Sequence, residues 1–119
     1  MNLATLIAKH ATSQPEKTAA ESGDEVLTYA ALDRRASRIA NRLKHAGVTA
    51  GDLVGTRLRD SPSHVASLVA IARIGAIILP LDWRSTALEV RRIAERFQPK
   101  VVLTDKELPV PDGLRPIGL

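Results

Sequence analysis

Residues 61–81 read SPSHVASLVAIARIGAIILPL. Ser61 can cap a helix, and Pro62 suits the first helical position, where its missing N–H has no partner to lose. Between Val65 and Ile74 only Ser67 and Arg73 are polar, and Gly75 is a natural left-handed stop. Ala76 to Leu79 then reads as a short strand, apolar on both faces and closed by Pro80. A helix that is apolar nearly all round and runs straight into such a strand belongs in the interior of an α/β layered structure. Both elements demand neighbours on several sides.

The flanking sequence supplies some of them. Gly51-Asp52 makes a turn into a strand over 53–58. After the loop Asp82-Trp83-Arg84, Thr86-Ala87-Leu88-Glu89 has the form of a capping box. The helix it opens, 87–97, has Val90, Ile93, Ala94 and Phe97 as its expected buried face and an Arg91–Glu95 pair at i,i+4. Pro99 ends it before a strand over 101–104. The order β(53–58) α(62–74) β(76–80) α(87–97) β(101–104) predicts parallel strands joined by right-handed crossovers.

On the N-terminal side, Asn2 caps a helix with Leu3, Leu6, Ile7 and Ala11 on one face, stopped near Pro15. Strands at 18–21 and 25–28 flank Ser22-Gly23-Asp24 as a small hairpin. Thr28 caps a helix over 29–46 whose apolar face is Leu32, Ala36, Ile39, Ala40 and Leu43. Its other face carries Arg34, Arg35, Arg38, Arg42 and Lys44, and Gly47 ends it. Beyond Asp105 the tail, 106–119, is turn-rich, and Ile117 to Leu119 begins a strand left unfinished. The expected fold class is α/β: a partial parallel sheet with βαβαβ crossovers, preceded by an N-terminal helix and a small hairpin.

Composition narrows the chemistry. A chain of 119 residues with 45% apolar residues fits one globular domain. One Trp, one Tyr and one Phe are too few for a base-stacking platform, and the absence of Cys excludes disulfides, Cys-based zinc sites and thiol nucleophiles. The net charge of +4 reads as solvated helix faces, so nucleic acid is not expected as a partner. Met1 to Ser13 shows no signal-peptide pattern, and Arg73, Gly75 and Pro80 break the apolar run, so no membrane span is expected. A cytoplasmic location is the expectation.

Ligands of parallel sheets lie outside the carboxyl ends of the strands, which here means Arg59-Asp60-Ser61, Leu81-Asp82 and Asp105. No Gly-rich phosphate loop is present; Gly47, Gly51 and Gly55 read as a cap, a turn and a small strand residue. Asp60, Asp82 and Asp105 could gather round a divalent cation, but an Asp after a strand is first of all a turn or cap residue. Ser61, Ser63 and His64 suggest a nucleophile, yet adjacent helical side chains diverge. Trp83 could line a pocket or anchor packing on the Arg-rich helix or on a further domain. No residue is assigned as catalytic, cofactor-binding or metal-binding.

A set of small motifs in order carries a resemblance: Leu27-Thr28-Tyr29-Ala30-Ala31-Leu32, Gly47-Val48, Gly51-Asp52-Leu53-Val54, Asp60-Ser61-Pro62, Ile74-Gly75-Ala76, Pro80-Leu81-Asp82, then Arg84, Thr86, Glu89 and Val101-Val102-Leu103-Thr104-Asp105. From about Gln14 to Asp105 the chain resembles the N-terminal portion of the adenylate-forming, AMP-binding enzymes, which include acyl- and aryl-CoA synthetases and peptide-synthetase adenylation domains. The family commonly has Glu where this chain has Ala31. Its phosphate loop, nucleotide-binding motifs and catalytic Lys map to no residue here.

The resemblance implies a single N-terminal subdomain, residues 1–119, of a larger AMP-binding domain, itself an inactive scaffold. It implies a parent acyl- or aryl-CoA synthetase. That parent would use ATP, Mg²⁺ and CoA to turn a small carboxylic acid into an acyl-adenylate and then a thioester. The alternatives are a peptide-synthetase adenylation domain and a stand-alone α/β interaction module. The expected partner is the remainder of the parent, and without it apolar surface is left open to self-association.

Overall fold

The computed structural model describes residues 2–106 and 108–119. In chain order the elements are helix α1 (Leu3–Ser13), strands β1 (Thr18–Ser22) and β2 (Glu25–Thr28), helix α2 (Tyr29–His45), strand β3 (Leu53–Arg57), helix α3 (Pro62–Arg73), strand β4 (Ile77–Pro80), helix α4 (Ala87–Phe97), and strands β5 (Val101–Thr104) and β6 (Pro116–Gly118). Each lies within a residue of its expected bounds. The tail expected over 106–119 includes Glu107, which lies outside the described residues.

The helices start where side chains cap them. Asn2 Oδ1 accepts from the Thr5 N–H at 2.9 Å, Thr28 Oγ1 from Ala31 at 3.1 Å and Ser61 Oγ from His64 at 3.2 Å. At α4, Thr86 Oγ1 accepts from the Glu89 N–H at 3.2 Å, while Glu89 Oε1 takes the Thr86 hydroxyl at 3.1 Å.

β1 and β2 form the antiparallel hairpin, and β4-β3-β5-β6, in that order, form a parallel sheet. The unfinished strand is therefore paired: β6 runs beside β5, with Pro116 opposite Val102 and Gly118 opposite Thr104. Side chains alternate between two cores. Val54, Val101 and Leu103 point to a core shared with α1, α2 and α3. Leu79, Leu81 and Val102 point the other way, to Val90 and Ile93 of α4. Gly55 sits on this second face, where an added Cβ would come within 3.1 Å of both Leu81 and Val102. Helices thus cover opposite faces, as in doubly wound sheets.

The interior of the opening stretch is as apolar as its sequence demands: Ala66, Val69, Ala70 and Ile71 are fully buried. Arg73, its one cation, ties α3 to α2 through Asp33 at 2.8 Å and Ser37 at 3.0 Å. Three expectations are corrected. On α1 the buried residues are Ala4 and Ile7, while Leu3 and Leu6 are exposed because the contact face lies further round the helix. On α4 Val90 and Ala94 are buried, but Phe97, in the last turn, falls outside the second core and is 46% exposed, with Arg96 over its ring. Arg91 and Glu95 form no ion pair within 4 Å; both face solvent, where such a pair gains little.

α4 ends on Gln98, a non-glycine residue in the left-handed region at φ 50° and ψ 62°. That conformation costs an L-residue roughly 1 kcal/mol or more. Gln98→Gly is expected to raise the unfolding free energy by about 0.5–1 kcal/mol, read as a higher urea midpoint at unchanged slope.

Candidate functional site

β3 is followed by a crossover to β4 on one side, and β4 by a crossover to β5 on the other. The strand order therefore reverses between the carboxyl ends of β3 and β5, where open α/β sheets receive ligands. In this chain that position is filled by its own groups. The Arg59 N–H donates to Asp105 Oδ2 at 2.9 Å, and the Arg59 guanidinium stands 3.9 Å from the same oxygen. It also lies 5.3 Å from the centre of the Trp83 ring. Arg57, the last residue of β3, is 4% exposed and donates to the main-chain carbonyls of Ser85 and Pro109.

Beside this filled position, over β3 and β4, an open cleft of about 440 Å³ is lined by Thr56, Leu58, His64, Leu81, Trp83 and Arg84, among others. One wall is a tight turn. The Arg84 N–H donates to Asp82 Oδ1 at 2.9 Å, its Nη2 reaches Asp82 Oδ2 at 3.1 Å, and the Ser85 N–H closes on the Asp82 carbonyl at 3.0 Å. The hydrogen bonds from the Arg84 side chain, and then from its backbone, hold the Asp82 carboxyl below its ordinary range.

The three aspartates at this edge do not converge. Asp82 is satisfied by Arg84 and Asp105 by Arg59, and Asp60 stands 4.0 Å from His64 Nδ1. Among the described residues no group of three or more acidic, His or Cys side chains is placed to hold a metal ion. The nucleophile constellation separates in the same way. Ser61 is spent on the helix cap, Ser63 Oγ accepts from Arg35 of α2 at 3.1 Å, and His64 faces Asp60. Trp83 packs on Arg59 and lines the cleft rather than resting on the Arg-rich helix.

The basic face of α2 is partly used for construction. Arg35 pairs with Glu25 of the hairpin at 2.7 Å, and Arg42 donates to the Gly118 carbonyl of β6 at 2.9 Å. Arg34, Arg38 and Lys44 extend the same face. Sequence reasoning passes over Arg57; its one signal is a cation inside the strand LVGTRL, whose neighbours on either side are apolar or small.

Comparison with known proteins gives one consistent result. Residues 7–116 match the family described as AMP-binding enzyme. The chain is 35% identical over 105 residues to the indoleacetate–CoA ligase of Aromatoleum aromaticum, covering 88% of this chain and 21% of that protein. It is 44% identical over 103 residues to a linear gramicidin synthase of Brevibacillus parabrevis, covering 87% of this chain and 1% of that one. It superposes with a TM-score of 0.90, at 32% identity, on a nonribosomal peptide synthetase solved in an AMPPNP-bound form, covering 98% of this chain and 13% of the other. The chain thus spans 21% or less of the length of these relatives.

Proposed function

The chain belongs to the AMP-binding enzyme family, and from that premise we propose that it is the N-terminal scaffold segment of an enzyme that activates a small carboxylic acid as its adenylate. The parent reaction joins the carboxylate to the α-phosphate of ATP with release of pyrophosphate, and a thiol then takes the acyl group from the adenylate with release of AMP. ATP and Mg²⁺ belong to the first step, and CoA or a carrier-bound thiol to the second. The observation that carries this reading is the family match over 7–116, nearly the whole chain.

The residues present argue for scaffold rather than chemistry. No Gly-rich loop offers a row of N–H groups to phosphate. Arg57 is engaged with main-chain carbonyls, Asp82 with Arg84 and Asp105 with Arg59, and Asp60 faces solvent, 4.0 Å from His64. A lone exposed carboxylate beside these engaged groups does not make an ATP or Mg²⁺ site. Residues 1–119 are on this reading one subdomain of a larger AMP-binding domain. No helix among the described residues is long and apolar enough to cross a membrane.

A CoA ligase is the first reading of the parent. A peptide-synthetase adenylation domain is the second, supported by the 44% identity to the gramicidin synthase.

A chimera tests the scaffold role. Residues 7–116 replace the matching segment of an adenylation domain of the gramicidin synthase, and ATP–pyrophosphate exchange is measured across a panel of amino acids. The expected result is exchange with the host's own amino-acid preference, and none from the 119-residue chain alone. A changed preference in the chimera, or exchange by the isolated chain, would overturn the proposal.

A further inference from the structure

Arg57 is a charge in an expensive place. It occupies the last position of the central strand β3 and is 4% exposed. Its Nη2 donates to the Ser85 carbonyl at 2.9 Å and its Nη1 to the Pro109 carbonyl, while Nε is buried with no acceptor. Among the described residues no carboxylate pairs with it. Burying a cation against neutral carbonyls, with one donor unmet, costs stability that an apolar side chain of similar volume would not.

The two carbonyls show what that cost secures. Ser85 closes the Asp82–Ser85 turn, whose Trp83 and Arg84 form a wall of the cleft and whose next residue, Thr86, caps α4. Pro109 lies on the connection between β5 and β6. These segments leave the two strands that flank β3, so a side chain from β3 is placed to reach both. A guanidinium suits the task because its planar fork presents two Nη donors in fixed relation, which an ammonium does not. We propose that Arg57 is a positioning residue that couples the cleft wall to the β5–β6 connection, so that the two hold or yield together. This inference stands independently of the acyl-activating reading.

The chain carries its own reporter, since Trp83 is the only tryptophan. Arg57→Met keeps an apolar stem and removes both donors; Arg57→Lys keeps the charge and loses the fork. The readouts in the 119-residue chain are acrylamide quenching of Trp83 and amide exchange at Ser85 and Leu114, with Ile39, Ile71 and Leu103 as core references. In Arg57→Met, exchange at Ser85 and Leu114 is expected to quicken together by about ten- to a hundredfold, with Trp83 more accessible and the core references unchanged. Arg57→Lys is expected to move the same three readouts in the same direction. Loosening of one segment alone, equal acceleration of the core references, or no change in Trp83 and both amides would each overturn the proposal. If Arg57→Met does not fold, Arg57→Lys decides on the same measurements.

Discussion

Ile71→Ala is expected to lower the unfolding free energy of this chain by about 3–4 kcal/mol, a large share of the total stability of a domain this size. Ile71 is 0% exposed in α3, packed within the core that α3 shares with α1, α2 and the inner face of β3 and β5. Its surroundings are poorly able to collapse into the vacancy. Its own carbonyl accepts the Ala76 N–H at 3.1 Å, and Arg73 anchors the last turn of α3 to Asp33. The cost therefore includes a cavity term beyond the lost transfer energy. The measurement is a urea unfolding curve followed by far-UV circular dichroism and Trp83 fluorescence. A loss below about 1 kcal/mol would mean that α3 does not occupy the interior, because only surface truncations are that cheap.

That interior position was legible in residues 61–81 because proline entry, a nearly unbroken apolar run and glycine exit all agree there. The same holds for the capped helices and for the parallel order of the strands, which follows from strand–helix alternation. Polar burial was less legible. Arg57 reads as one residue of a strand, and nothing local shows that two distant carbonyls will reach its guanidinium. Arg73 reads as an interruption in an apolar helix and proves to be the tie to α2. The exposure of Leu3, Leu6 and Phe97 escaped a reading based on period alone, since a periodic face is buried only where a layer exists to cover it. As for the site, the sequence placed Asp60, Asp82 and Asp105 at one edge correctly. It could not show that Arg84 and Arg59 each engage one of them.

The second large effect is expected at the other end of the opening stretch. β4 pairs only with β3 among the described residues, so its outer edge offers unpaired N–H and C=O groups. Ile77 is 52% and Ile78 37% exposed on it. Natural edge strands are usually protected by a charge, a bulge or a covering element. From Ala76 to Leu81 this one has no charge, only Pro80 at its end. The 119-residue chain is therefore expected to self-associate reversibly through β4, with a concentration-dependent sedimentation coefficient. Ile78→Lys puts an ammonium on that edge and is expected to weaken association by about tenfold or more. Its effect on unfolding free energy should stay within about 1 kcal/mol, because the site is a half-open edge and not the core. A wild-type chain that sediments as one species at every concentration would remove the edge as a sticky surface. Association unchanged by Ile78→Lys would move it elsewhere, to the exposed Phe97 and Leu88 of α4. In the chimera proposed above, the same substitution asks a different question. If the host polypeptide covers β4, the new ammonium is buried without a partner and exchange activity should fall sharply, although Ile78 lies outside the cleft. The apolar excess of residues 76–81 then marks a surface made to be covered, and the charge tells which polypeptide covers it.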